Sequence, residues 1–510
     1  TLMKKVLSLV LALALLVILT ASVVYAEEAP YGGIDLSEPQ VVSMYYTGNE
    51  SPDWERVENL INEKLAEKVN TTIDFVHVSF ADFMTSYSLY LNDPDVDMLY
   101  CQPTNNFGAN AMAGAFKPIS EEFIQTYMPL TWKNEMPSLW KEVTVNGEIY
   151  GIPANRLDGT CNGVITSRAL MDKYGYTEDM ITNISELSEY LKTVSAGEKE
   201  NGIYGINCQG AWPSDWILLG LMSHAFTVND GTSCWFAWKY LDQDSFNVDD
   251  MYWIVDSKEY MDWALMMADW YKSGVYQAGV LSNETTLEAN TQEGLSVINI
   301  TDPAYAATLE DFYTARGDEM VYLDCLADDD TKVFAISRGH SIVFPVNSQN
   351  TERAAIVADL LKFDPEIHAL IIGGIEGEHY TLTEDGKYRV ATEKSVNYPW
   401  CNRCYFLVDN ADPELQLNDY LQPFLDLNNS RLVGGELFPV GRFNFDTSNF
   451  AAEIAAMDSI FNEYRFAFCF GLYGDETEAK VEELRAVMHA AGIDRVLEEY
   501  KAQVHAFLDE

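Results

Sequence analysis

Apolar positions along this chain recur at two periods, and the switches between them outline its elements. "VVSMYYTG" (41–48) has the apolar, β-branched and aromatic content of a strand. Beyond "SPD", residues Trp54, Val57, Ile61, Leu65 and Val69 fall three and four apart, which places them on one face of a helix. Ser51 is the expected N-cap of that helix, and Pro52 suits its first turn. "TTIDFVHVSF" then reads as a second strand and "VDMLYCQPTNNFG" as a third that starts apolar and ends polar. The order β-α-β, short helix, β predicts a mostly parallel sheet with helices on its faces. In such sheets ligands sit at the carboxyl ends of strands. The candidates there are "TGNES", with Asn49 and the neighbouring Trp54, and "QPTNNF", with Asn105 and Asn106.

The pattern repeats further on. Gly147 marks a tight hairpin, after which the chain runs through Ile152-Pro153 into a strand "GVITS". The helix "RALMDKYG" ends at Gly175, and "NISELSEYLKTVSAGE" starts from Asn183 with Glu186 three residues on. Residues 204–275 read as aromatic-rich and mostly helical, and 295–305 as a strand ending in polar residues. "FAISRGHSIVFPVNSQNTERAAIVADLLKFD" repeats strand, turn and helix. From Ala411 the chain reads as helical apart from "GGELFPVGRFNFDTS". Its last helix gathers Ile493, Val496, Leu497, Tyr500, Val504, Phe507 and Leu508 on one face. No internal repeat or low-complexity tract stands out.

The amino end differs. Lys4 and Lys5 precede an uncharged run from Val6 to Val24, with small residues at Val24 and Ala26 before the acidic pair Glu27-Glu28. Met3 is read as the start. The run predicts an export signal (residues 1–26) cleaved after Ala26, with a mobile leader at 27–36; an uncleaved tether over residues 6–24 is the alternative. Either outcome leaves residues 27–510 outside the cytoplasm. The remaining chain of about 480 residues is too long for one simple core, so two lobes are expected. A formal net charge of −47 argues against nucleic acid and anionic lipid as partners.

Candidate chemistry narrows the reading. "WPSDW" sets Trp212 and Trp216 around Asp215 in what reads as a polar loop. Flat rings beside carboxylates and amides are what a sugar needs, with its apolar C–H faces and its hydroxyls. Trp263 and Trp270 share a helix with Leu265 and Met266 and read as core. The eight cysteines are scattered, and Cys401-Asn-Arg-Cys404 is a lone pair without a second pair or nearby histidines, so no metal site is expected. "LDQDSFNVDD" and "LADDDT" lack the glycine and closing glutamate of a calcium loop. No G-x-S-x-G, H-E-x-x-H or phosphate loop occurs. No catalytic residue and no cofactor are therefore expected, although 79 acidic residues leave a glycosidase-type Asp/Glu pair open.

Several phrases converge on one resemblance. "NGEIYGIPANRLDGTCNGVITSRALMDKYGY" resembles the crossover segment of extracellular solute-binding proteins of carbohydrate-type ABC importers. "NTERAAIVADLLKFDPEIHALIIGGIEGEHYTL" is similar to a second block of that family. "GRFNFDTSNF…VHAFL" resembles the closing segment of a lipoprotein-like subgroup with a carboxyl-terminal domain of unassigned function. The likeness covers nearly the whole mature chain.

The resemblance implies an α/β, two-lobed periplasmic-binding-protein-like fold (type II), with mixed sheets flanked by helices, a hinge and an inter-lobe cleft. Lobe 1 would comprise 37–152 and 333–398, and lobe 2 153–332 and 399–510. Beside Asn49, Trp54, Asn105 and Asn106, the cleft would draw on Asp158 and Asn162 at the first crossing, and on Trp212, Asp215, Trp216, Asp302, Tyr305 and Trp400. The implied function is capture of a polar solute, a saccharide foremost, by lobe closure and delivery to a membrane permease, by a monomer. A secreted hydrolase and a non-transport surface receptor are the alternatives. The chain departs from the family at two places. Ser22 stands where the subgroup carries a lipidated cysteine, and Trp400 is followed four residues on by Cys404 rather than Asn. Ser22 is therefore not lipidated.

Overall fold

Strand Gln40–Thr47 lies between Thr71–Val78 and Met98–Cys101, both parallel to it. Its inward residues Val42, Met44 and Tyr46 are buried, as a strand period of two requires. Ser341–Val343 and Ile152–Pro153 complete a five-stranded sheet. Ser341–Val343 runs antiparallel to both of its neighbours, so parallel pairing holds for the first three strands only. The computed structural model describes residues 30–509 apart from 49, 102–104, 138, 155–162, 208–209, 223–224, 229–232, 240–246, 328–332, 335–339, 399–413, 416, 434–442 and 444. Residues 1–29, Cys401-Asn-Arg-Cys404 and most of both acidic loops lie outside the described residues, whereas residues 30–36 of the expected mobile leader are held in place, with Arg353 Nη2 donating to Asp35 O at 2.6 Å and Asn70 Nδ2 to Leu36 O at 2.9 Å.

Helix Trp54–Val69 buries the five residues of the expected stripe against this sheet. Each of Val57, Ile61 and Leu65 is fully buried and contributes about 2 kcal/mol. The helix starts later than expected. Its N-cap is Asp53, whose side chain makes no capping bond, and Ser51 sits in the preceding turn. Two remote groups account for this. Asp53 N–H donates to Asn397 O at 3.0 Å, and the Asp53 carboxylate meets His379 Nε2 at 3.0 Å. His379 in turn accepts the Ile375 N–H on Nδ1, so "GIEGEHY" is a structural turn pinned to this helix start.

The hairpin forms between Thr144–Val145 and Glu148–Ile149. Asn146 and Gly147, with φ of 51° and 80°, supply the left-handed pair that a two-residue turn needs.

A second sheet has Gly163–Ser167 at its centre, antiparallel to Ile298–Thr301 on one side and Met320–Leu323 on the other. Helix Arg168–Tyr174 ends on Gly175 at φ 75°, and Asn183 caps Ile184–Glu198 through Glu186 N at 3.1 Å, as expected. Residues 204–275 are less helical than expected. Between helices Trp212–Leu221 and Lys258–Lys272, an antiparallel sheet joins Ala225–Val228, Phe236–Lys239 and Tyr252–Trp253. Trp235, Phe236, Ala237 and Trp253 are all buried, so these strands show no alternation to read. Trp263 and Trp270 are core, and their indoles donate to Ser214 O and Ser188 Oγ.

Two large cores result. One gathers Val42 through Ile152 with Ile342 through Tyr398. The other gathers Val164 through Leu326 with Met457 through Val504. Helices Ala451–Cys469, Thr477–Ala491 and Ile493–Asp509 therefore build into the second core. Ile493, Val496, Leu497, Tyr500 and Val504 are buried as the stripe predicts, whereas Leu508 at its end is exposed. Among the described residues no helix is long and apolar enough to cross a membrane.

His489 ties this carboxyl-terminal segment together. Its Nδ1 meets Asp494 at 2.9 Å and its Nε2 meets Asp256 at 3.0 Å. Burial opposes charge on the ring, but the bonds to Asp494 and Asp256 outweigh it and raise the pKa above 6.5. A raised histidine stabilises fully below its unfolded pKa, and that support fades as pH rises through the folded value. The melting temperature should therefore fall as pH rises above the ordinary histidine pKa of about 6.5. His489→Gln should flatten this slope in a differential scanning fluorimetry series; an unchanged slope would remove His489 from the account.

Candidate functional site

The register of the two sheets locates the site. In the first sheet, Thr47, Val78 and Cys101 end their strands at one edge. Ser341 pairs with both Cys101 and Pro153 there. The chain thus leaves this sheet at Pro153 and re-enters it at Ser341 along the edge formed by the carboxyl ends of its parallel strands. In the second sheet, Gly163 pairs with Thr301, and Val164 with Leu323. The chain enters at Gly163 and leaves beyond Leu323 at one edge. The crossings 154–162 and 324–340 therefore join the two strand-end edges, where ligands bind in open α/β sheets.

On the first edge, Asn106 is exposed, at φ 52° and ψ 55°, and opens helix Phe107–Met112. Asn105 is buried beside it; its Nδ2 faces Met84 Sδ at 3.7 Å, and its carbonyl accepts from Asn110 Nδ2 at 2.8 Å. Tyr100 Oη bonds His340 Nδ1, with the rings stacked at 5.9 Å, and Ala154 N–H donates to His340 O at 2.8 Å. This pair clamps the departing and returning chain side by side, and it went unread in the sequence.

Trp54 is placed differently from its expected role. Its ring stacks on Tyr398 at 5.9 Å and meets Phe75 and His77 edge-on at 5.3 and 4.4 Å. Its indole N–H donates to Glu58 at 3.1 Å. Both faces and the polar tip are committed to the core, which corrects the expectation of a ligand contact. Burial pulls the His77 pKa down to about 4, so the ring is neutral where it bonds Tyr46 Oη.

On the second edge, Asp302 caps helix Pro303–Ala315 by accepting the Tyr305 N–H at 2.9 Å, and the Tyr305 side chain is half-buried. The segment that precedes the Trp212 helix pairs with the start of strand Ile298–Thr301. Tyr204 N–H donates to Leu295 O, and Val297 and Ile298 N–H donate to Tyr204 and Gly205 O. Residues 204–206 thus run parallel to the start of the strand that ends at Thr301.

Residues 212–216 are the first turns of helix Trp212–Leu221, not a polar loop. Pro213 fits there because its missing N–H has no partner to lose. Trp212 and Trp216, four apart, share one side of that helix, and both are half-buried. Asp215 is turned inward. It pairs with Arg465 Nη2 and accepts from Cys469 Sγ at 3.8 Å, which corrects its expected place among the ligand contacts. Asn49, Asp158, Asn162 and Trp400 lie outside the described residues.

The described cysteines Cys101, Cys234, Cys325 and Cys469 are buried. Burial pushes the Cys101 and Cys234 thiols up to about 12, which leaves them protonated and unsuited to nucleophilic work. Among the described residues no cluster of His, Cys, Asp or Glu could hold a metal ion.

Two mixed or antiparallel sheets with separate cores, facing edges and repeated chain crossings define the two-lobed fold of solute-binding proteins. Solved structures share it. The N-glycan transport solute binding protein NgtS of Streptococcus pneumoniae superposes with a TM-score of 0.68 at 17% identity, covering 92% of this chain and 99% of that one. The same protein is solved in complex with Man5GlcNAc. The alginate-binding protein AlgQ2 superposes at 0.64 and 15% identity, over 92% and 98% of the two chains. In sequence, the chain is 20% identical over 492 residues to a carbohydrate ABC transporter substrate-binding protein of Streptococcus pneumoniae serotype 4, covering 93% of this chain and 92% of that protein. Residues 439–509 match a domain of unknown function, DUF3502. The resemblance read from the hairpin, the "GIEGEHY" block and the tail is borne out.

Proposed function

We propose that this chain is the exported receptor of a carbohydrate ABC importer, capturing an oligosaccharide between its lobes and handing it to a membrane permease without chemistry. What supports the reading is the placement of polar residues at strand ends, Asp302 and Tyr305 on the second sheet and Asn105 and Asn106 on the first, with the half-buried Trp212 and Trp216 proposed as the ring faces. Ring faces and amide or carboxylate groups set across a hinged cleft suit a sugar, and closure is a shift between open and shut states. The proteins it resembles are named for carbohydrate transport and N-glycan transport. The two cores support the proposed lobes, 37–152 with 333–398 and 153–332 with 399–510, while Val333–Phe334 pairs with Leu432–Val433 and Tyr388–Arg389 with Glu414–Leu415 across the proposed boundaries. Asn49, Asp158 and Trp400 remain proposed contacts in the segments flanking the crossings.

The ligand is proposed to be neutral. Arg431 is buried and paired with Asp324 at 2.9 Å, so its charge is committed within the protein. The net charge of −47 repels a polyanion. Thermal-shift screening of residues 27–510 against neutral and uronic oligosaccharides should raise the melting temperature with a neutral one by mass action. Stabilisation by uronic oligosaccharides alone would overturn the neutral ligand, and hydrolysis of a bound glycoside would overturn the receptor.

A further inference from the structure

We infer that the carboxyl-terminal segment, matched as a domain of unknown function, serves as the buttress that sets the Trp212–Trp216 face of the cleft, with Arg465 as its positioning residue. The inference deepens the receptor reading, on which its functional meaning rests.

The segment is not a separate module. Phe461, Phe468, Leu484 and Tyr500 are buried in one core with Trp253 and Trp263. Two independent routes lead from it to the first turn of the Trp212 helix. The first is polar. Helix Ala451–Cys469 holds both oxygens of Asp215: Arg465 Nη2 takes Oδ2, and Cys469 Sγ approaches Oδ1 at 3.8 Å. The paired side chains are 15% and 18% exposed, so a broken pair leaves a largely desolvated charge. At about 100° per residue, Asp215 lies about 60° from Trp212 and about 100° from Trp216 around the helix. Holding its carboxylate therefore fixes the rotation of the helix, and with it the direction of both rings.

The second route is steric. After helix Ala451–Cys469 the chain turns at Gly471, φ +65°, where a Cβ would stand 2.0 Å from Met267 O. Only glycine permits that approach. Met267 lies on helix Lys258–Lys272, and its sulfur accepts from Ser214 Oγ at 3.1 Å. Ser214 O accepts the Trp263 indole N–H at 2.9 Å. Both routes thus end within residues 212–216, the stretch that carries the two cleft rings. Arg465 went unread in the sequence, where the one available signal was an arginine inside the apolar stretch "YRFAFCF".

The test is 19F NMR of residues 27–510 labelled with 5-fluorotryptophan. Resonances of Trp212, Trp216 and Trp54 are assigned by single Trp→Phe replacements. Arg465→Met should shift or broaden the Trp212 and Trp216 lines and leave Trp54, in the other core, unmoved. Arg465→Lys, which keeps a cation facing Asp215, should restore them towards their original positions. Folded Arg465→Met protein with unmoved Trp212 and Trp216 lines overturns the inference. Should Arg465→Met not fold, Asp215→Asn carries the test with the same lines and the same criteria. Titration of the unsubstituted protein with Man5GlcNAc and with the oligosaccharide most stabilising in the thermal screen separates the two readings. If neither sugar moves the Trp212 and Trp216 lines, the ligand platform fails while the buttress stands or falls on Arg465.

Discussion

Replacing Lys362 with methionine should lower the unfolding free energy by about 3–5 kcal/mol, the cost of stranding a buried partner charge. Lys362 and Glu135 form an ion pair in which both side chains are 0% exposed. The ammonium donates to Glu135 Oε2 and to the carbonyl of Pro153, the last strand residue before the first crossing. Methionine fills a similar volume but leaves a carboxylate and a carbonyl without this donor in the interior. The melting temperature of the unliganded protein should drop by about 3–5 °C, given the unfolding entropy of a chain of about 480 residues. The double variant Glu135→Leu/Lys362→Met removes both charges and should regain much of the loss, because well-packed apolar replacements of buried pairs are often tolerated. A single variant that melts with the unsubstituted protein would show that the pair contributes nothing. The placement also has a mechanical side. A fully buried ammonium on Pro153 O fixes where the first crossing begins, so closure must be absorbed beyond residue 153.

What the sequence could and could not reveal follows from the range of the interactions concerned. The stripe Trp54, Val57, Ile61, Leu65 and Val69 was legible because it depends only on helix period and one buried face. The Asn146-Gly147 turn was legible because only residues tolerant of positive φ fit there. The start of the Trp54 helix was not, because Asp53 answers to Asn397 and His379, over 300 residues away. The same holds in the candidate site. The residue types at Trp212, Asp215 and Trp216 suggested a sugar platform, and Pro213 beside them suggested a loop. The proline marks instead the first turn of a helix. The carboxylate looked available until Arg465, 250 residues on, was found to hold it. Trp54 and Trp212 are the same residue type, and packing separates them: one ring is enclosed by Tyr398, Phe75 and His77, while the other is half-buried.

That contrast leads to the second large effect, on binding rather than stability. Trp212→Ala and Trp216→Ala should each weaken binding of the saccharide most stabilising in the thermal screen by about 2 kcal/mol, about 30-fold, the scale of a buried tryptophan anchor. The two losses should not add, because the rings are one helical turn apart and on the proposed reading would share one ligand. Each ring also packs partly on the second core, so some loss of melting temperature is expected in the unliganded protein. Trp270→Phe supplies the control. Trp270 is fully buried with its indole N–H on Ser188, so its replacement should cost stability through a cavity and an unpaired hydroxyl while sparing affinity. Isothermal titration calorimetry of the three variants, beside their melting temperatures, separates the roles. Affinity lost at 212 and 216 but kept at 270 marks the helix as a sugar platform. Affinity unchanged in both alanine variants would return the two tryptophans to ordinary packing and move the ligand contacts to Asp302, Tyr305 and the first-edge asparagines.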